Sequence, residues 1–139
     1  MISFTYLLPN DLDSFNELVY NTWLKSVIIS EKKKTGDIQY IFCDDSYILE
    51  INKTYLNHDT FTDIITFSPT DNKEIISGEI YISLDRIGEN FKVHSISFIE
   101  ELRRVIVHGI LHLIGYDDHS VSEKKLMRSK EDYYLHLLR

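Results

Sequence analysis

One cysteine, Cys43, is the entire thiol complement of this chain, which excludes an internal disulfide. It lies in the apolar run IQYIFCD and reads as a buried, inert thiol rather than a reactive one. Basic charge is also scarce, with 15 lysines and arginines against 22 acids and a formal net charge of -7. That balance argues against indiscriminate attachment to nucleic acid or acidic membranes, though it leaves room for a local basic patch. No apolar run approaches the roughly 20 residues that a membrane span needs. The segment Met1 to Asp13 has neither a basic leader nor a long apolar region, so a soluble, cytoplasmic protein without membrane partners is expected. Internal repeats, low-complexity tracts and linkers are missing as well, and 139 residues suit one domain, residues 1–139.

What remains is a chain with 43% hydrophobic and 12% aromatic residues, enough to fill a core. Ile2 to Leu7 reads as a first or edge strand ended by Pro9. From Asn10 the spacing of Leu12, Phe15, Leu18, Val19, Trp23 and Val27 predicts a helix, closed by the polar run Glu31 to Gly36, whose three lysines form a solvated helix end. Asp37 to Cys43 is a strand, and Asp44 or Asp45 caps a helix over Ser46 to Tyr55 with Tyr47, Ile48, Ile51 and Tyr55 on its apolar face. A polar bend at Asn57 to Thr60 leads to the β-branched run TDIITF (Thr62 to Phe67), ended by Pro69 and TDNK. Ile75 to Ser83 is the next strand, with Gly78 marking a bulge or a close approach. Leu84 to Val93 is a short helix. Ser97 and Glu100 form a capping box that starts another, and Ser120 and Glu123 repeat it before a last helix with Leu126, Tyr133 and Leu137 on its apolar side. Helices and strands interleave, so the expected class is mixed α/β (α+β), a small mixed sheet of about four strands covered by helices.

The chemistry concentrates on SFIEELRRVIVHGILHLIGYDDH, Ser97 to His119. This helix is apolar nearly all round from Leu102 to Ile114, apart from Arg103, Arg104, His108 and His112. Two imidazoles on a core helix are costly unless paired, and positions four apart share one face. Gly115 can take the left-handed conformation that ends the helix and folds the chain back over its last turn. The pattern H-x-x-x-H-x-x-G-x-x-[DH], filled by His108, His112, Gly115 and Asp118, is that of metzincin-type zinc sites. In H-E-x-x-H peptidases the residue after the first histidine is the general base; here it is Gly109, which disfavours a peptidase. That glycine either permits a close approach to the helix or is tolerated at about 1 kcal/mol relative to alanine.

HGILHLIGYDD resembles the signature of the YbeY family of bacterial rRNA maturation factors. TDIITF and GEIYIS (Gly78 to Ser83) are similar to two further motifs of that family, in the same order, so the resemblance covers essentially the whole chain. It implies a zinc-dependent, single-strand-specific endoribonuclease acting in 16S rRNA 3′ end processing and ribosome quality control. The implied partners are rRNA, the small ribosomal subunit and associated ribosomal or assembly proteins. Two departures stand out. The family's third histidine falls on Asp118, with His119 one place later as the alternative ligand if the turn is one residue longer. Leu56 stands where many members have an arginine. Three protein ligands leave a fourth position for water on one Zn2+ ion. With Asp118 as ligand, His119 is free to shuttle protons, Arg103 and Arg104 are candidate phosphate contacts, and Asp63 is a candidate to orient a ligand histidine. The rival readings are a non-catalytic assembly factor with a structural zinc closed by Asp118 and His119 together, and a metal-dependent hydrolase of another substrate.

Overall fold

A computed structural model describes residues 1–7, 16–56, 62–69, 74–94 and 97–138, with the backbone alone for 90–94. The elements run β1 (Ile2–Tyr6), α1 (Glu17–Ser30), β2 (Lys34–Cys43), α2 (Asp45–Leu56), β3 (Ile64–Phe67), β4 (Ile75–Ser83), α3 (Leu84–His94), α4 (Phe98–Ile114) and α5 (Val121–Leu138). The four strands form one mixed sheet in the order β1-β2-β4-β3. β1, β2 and β4 are parallel, while β3 runs antiparallel to β4 with Ile64 opposite Ile82 and Phe67 opposite Glu79. The expected class and strand number therefore hold.

Alternation along β2 sends Ile38, Tyr40 and Phe42 into the main core with α1, α4 and α5, and sends Cys43 into a smaller cluster with Ile48 and Ile65. Burial pushes the Cys43 thiol up to about 12, so it is inert as expected. Two buried side-chain hydrogen bonds tie the layers together. The Tyr40 hydroxyl donates to the Ile106 carbonyl on α4 at 2.6 Å, and the Trp23 indole donates to the Tyr134 carbonyl at 2.8 Å, joining α1 to α5. Gly78 is a close approach: a Cβ there would lie 2.3 Å from the Phe67 carbonyl oxygen.

The caps follow the sequence. Ser97 accepts from the Glu100 amide, Asp44 accepts from the Tyr47 amide, and Ser120 and Glu123 cap each other's backbone amides at 2.8 and 3.1 Å. Three helical faces differ from expectation. In α2 the buried residues are Ile48 and Asn52, whereas Tyr47 and Tyr55 are exposed. In α1 the buried side chains are Tyr20, Trp23, Leu24, Val27 and Ile28, whereas Leu18 and Val19 are exposed. Asn16 caps this helix, and the expected contributions of Leu12 and Phe15 fall outside the described residues. In α5, Leu126, Tyr133 and Leu137 are 49, 59 and 53% exposed, and the helix instead buries Met127, Glu131, Tyr134 and Leu135. The sequence carries two neighbouring apolar stripes, and the one that docks also carries Glu131, which pairs with Arg104.

Candidate metal centre

α4 positions the site while packing on the sheet. Gly109 lies against the sheet, where a Cβ would come within 2.9 Å of Ile80 Cγ2 and 3.0 Å of Ile64 Cδ1. Of the two uses open to this glycine, close approach is the one it serves. A glutamate at this position, as in H-E-x-x-H peptidases, would be driven into the sheet. Round the helix from Gly109, His108 and His112 stand one turn apart with their Nε2 atoms 2.9 Å from each other. Gly115 ends the helix at φ +128°, its amide and that of Tyr116 returning to the Leu111 carbonyl. The chain then brings Asp118 Oδ2 to 3.4 Å from His108 Nε2 and 3.5 Å from His112 Nε2.

These three atoms form a nearly equilateral triangle. Ligand bonds of about 2.0–2.1 Å in tetrahedral zinc geometry place donor atoms about 3.3 Å apart. The donor set and its spacing thus fit a small divalent ion such as zinc. His119 is exposed and stands outside this group, which consists of His108, His112 and Asp118.

Behind the triangle lies a carboxylate that sequence reasoning missed. Glu131 of α5, 5% exposed, places Oε2 at 2.6 Å from His108 Nδ1 and accepts through Oε1 from Arg104 Nη1 at 2.8 Å. A bond from the His108 Nδ1–H fixes the tautomer that leaves Nε2 with its lone pair. The signal was an acid in register with the apolar residues Met127, Tyr134 and Leu135 at helical spacing. Burial works against a charged His108 ring, but the hydrogen bond and charge of Glu131, aided by Asp118 and Asp63, outweigh it and raise the ring's pKa. His112 moves the other way, lowered by burial and by its neighbour His108, against the opposing pull of Asp118. The backbone of Tyr116 adds to the pull of Asp118.

The remaining candidates separate. Asp63 is half-buried just before β3, its backbone carbonyl accepting from the Ser83 amide at 3.0 Å. Burial raises its carboxyl pKa, Glu101 and Asp118 add to the rise, and His108 opposes it, so Asp63 lies within electrostatic reach of the triangle. The hydrogen bond to His108 Nδ1 nevertheless belongs to Glu131. Arg104 is drawn inward by Glu131 and Asp132, at 2.8 and 2.7 Å. Arg103 donates from Nε to the Tyr20 hydroxyl and faces α1. Both guanidinium groups thus have partners within the fold. Leu56 is the exposed last residue of α2.

The chain is similar to known proteins over most of its length. The family model "Endoribonuclease YbeY" matches residues 9–139. An Endoribonuclease YbeY of Flavobacterium johnsoniae is 53% identical over 132 residues, covering 95% of this chain and 93% of its own. That of Flavobacterium psychrophilum is 52% identical over 137 residues, covering 99% and 96%. Among solved structures, the solution structure of a Thermotoga maritima protein superposes with a TM-score of 0.67 at 29% identity, covering 99% of this chain and 89% of the other. With the family model matching residues 9–139 and relatives more than 50% identical over nearly the whole chain, this chain belongs to the YbeY endoribonuclease family.

Proposed function

We propose that this protein is a zinc-dependent, single-strand-specific endoribonuclease of the cytoplasm, acting on rRNA of the small ribosomal subunit, including the 3′ end of 16S rRNA, together with ribosomal or assembly proteins. The observation that carries the proposal is the triangle of His108, His112 and Asp118 in a chain of this family. Zinc held by these three residues would supply Lewis acidity toward water and toward a phosphoryl oxygen. The protein's part is preorganisation. Glu131 holds the His108 ring with Nε2 facing the other donors, and Gly115 swings Asp118 across the helix end. Asp63, within electrostatic reach of the triangle, and His119, next in sequence to Asp118, are the residues assigned to proton exchange with substrate and leaving group. A closed structural site would need His119 as a fourth donor, and its position outside the group favours the catalytic reading over a purely structural zinc.

The test is cleavage of a single-stranded rRNA fragment by zinc-loaded protein beside His112→Ala. Cleavage by the first and not the second is expected. Equal rates, or no cleavage by either at high protein concentration, would overturn the enzymatic reading. Competition by unrelated phosphodiesters but not by rRNA would point instead to another substrate.

A further inference from the structure

The residue that follows Gly115 is held more firmly than a turn requires. The Tyr116 amide donates to the Leu111 carbonyl at 3.0 Å, and Lys130 lies 5.4 Å over the ring. The Tyr116 hydroxyl donates to Glu31 Oε1. Glu31 caps the C-terminus of α1, 85 residues away in sequence, and its side chain is only 8% exposed. Its second oxygen accepts from the Tyr134 hydroxyl and, at 3.0 Å, from Lys130. Burial alone would favour the neutral acid, yet the three donors outweigh it and lower the pKa, so Glu31 is a fixed anion. Nothing in a helix-end carboxylate requires two tyrosines and a lysine, and one of those tyrosines is two residues before Asp118.

We propose that Glu31 and Tyr116 are positioning residues for Asp118: the carboxylate on α1 anchors the Tyr116 hydroxyl and thereby fixes the turn that carries the third ligand to the two histidines. This rests on the reading of His108, His112 and Asp118 as a metal site. Without the anchor the Gly115 turn keeps its backbone bonds to Leu111 but gains freedom just where Asp118 must hold its position. The coupling also makes the end of α1 part of the site's support, although it contributes no ligand.

The experiment measures Zn2+ affinity by competition with a chromophoric chelator, using the full chain and no RNA, with the melting temperature of each metal-free form alongside. Tyr116→Phe removes only the hydroxyl, and Glu31→Gln removes the charge. Each is expected to weaken Zn2+ binding about tenfold, the lower end of the range for partners behind a ligand. Tyr134→Phe, which removes the other hydroxyl bond to Glu31 without touching the turn, is expected to lower the melting temperature and leave affinity within about twofold, the scale on which uncoupled sites add. In an Asp118→Ala background, Tyr116→Phe should add no further loss. Unchanged affinity in Tyr116→Phe, an equal loss from Tyr134→Phe, or the same loss with and without Asp118 would each overturn the proposal. If the unaltered chain fails to bind Zn2+, or Asp118→Ala binds as tightly as it does, the site reading itself is wrong and the proposal falls with it.

Discussion

Replacing Glu131 probes stability and the candidate site through one side chain. Its two oxygens serve two donors, Arg104 Nη1 at 2.8 Å and His108 Nδ1 at 2.6 Å, in a place almost without solvent. Breaking a buried ion pair by deleting one partner costs about 3–5 kcal/mol. Here Arg104 keeps Asp132 at 2.7 Å, and that side chain is largely in solvent, so Glu131→Ala should destabilise the metal-free protein by about 2–3 kcal/mol. The freed His108 ring can then rotate or change tautomer, and zinc affinity should fall about 10–100-fold. Glu131→Gln sharpens the test because it preserves shape. An amide has one acceptor oxygen, so it can receive from His108 or from Arg104 but must turn an N–H toward the other. Arg104 has Asp132 in reserve and His108 does not, so the oxygen should go to His108. Stability should then fall by about 1–3 kcal/mol, as expected for one unsatisfied buried contact, while zinc affinity falls less than in the alanine variant. Urea unfolding in chelator and competitive zinc titration give the two numbers. Wild-type zinc affinity in Glu131→Ala would refute the claim that this carboxylate sets the His108 ring.

Three further outcomes follow from the same structure. Gly109→Ala gains about 1 kcal/mol of helix propensity but forces a methyl against Ile80 and Ile64, and overpacking of about 1–3 kcal/mol should win, giving a net loss in urea unfolding; a net gain would show that the helix can lift off the sheet. In the metal-free protein the raised His108 pKa gives stability that is fully present below about pH 6.5, the unfolded histidine value, and is lost as pH rises through the folded value. The lowered His112 pKa gives stability present above that value and lost as pH falls through its own folded value. Glu131→Gln should therefore flatten the alkaline side of a stability profile measured in chelator, and an unaltered alkaline slope would contradict the assignment. Cys43, buried and with its thiol pushed up to about 12, should resist a disulfide reagent at pH 8 until urea unfolds the chain; rapid reaction in the native protein would mean that the α2 side of the sheet opens.

Features written locally were legible in the sequence, and features that depend on distant partners were not. The two histidines share a face because the helix repeat puts them there, and the turn that brings Asp118 back follows from Gly115 three residues later. The Ser97 cap and the capping box at Ser120 are equally local. The face of α5 could not be read in this way. Leu126, Tyr133 and Leu137 make as good a stripe as Met127, Tyr134 and Leu135, and the choice depends on Arg104 and His108 being ready to receive Glu131. Glu31 was hidden for the same reason. Beside three lysines it looks like part of a solvated helix end, and only the packing of α1 against α5 and the post-Gly115 turn shows that two tyrosines surround it.

That contrast bears on how the site is built. The three converging donors come from eleven consecutive residues, which a short helix and turn could present alone. What such a fragment lacks is the means to keep the donors in place. His108 needs Glu131 from α5, Asp118 follows a tyrosine anchored by Glu31 from α1, and the helix can seat itself only because Gly109 lets Ile64 and Ile80 come close. Each support enters from a different element, so the fold of the whole chain, rather than the motif, preorganises the triangle. Changes at Glu31, Gly109 or Glu131 should consequently alter zinc affinity while leaving every ligand in the sequence intact, and a motif search on such a variant would report an unchanged site.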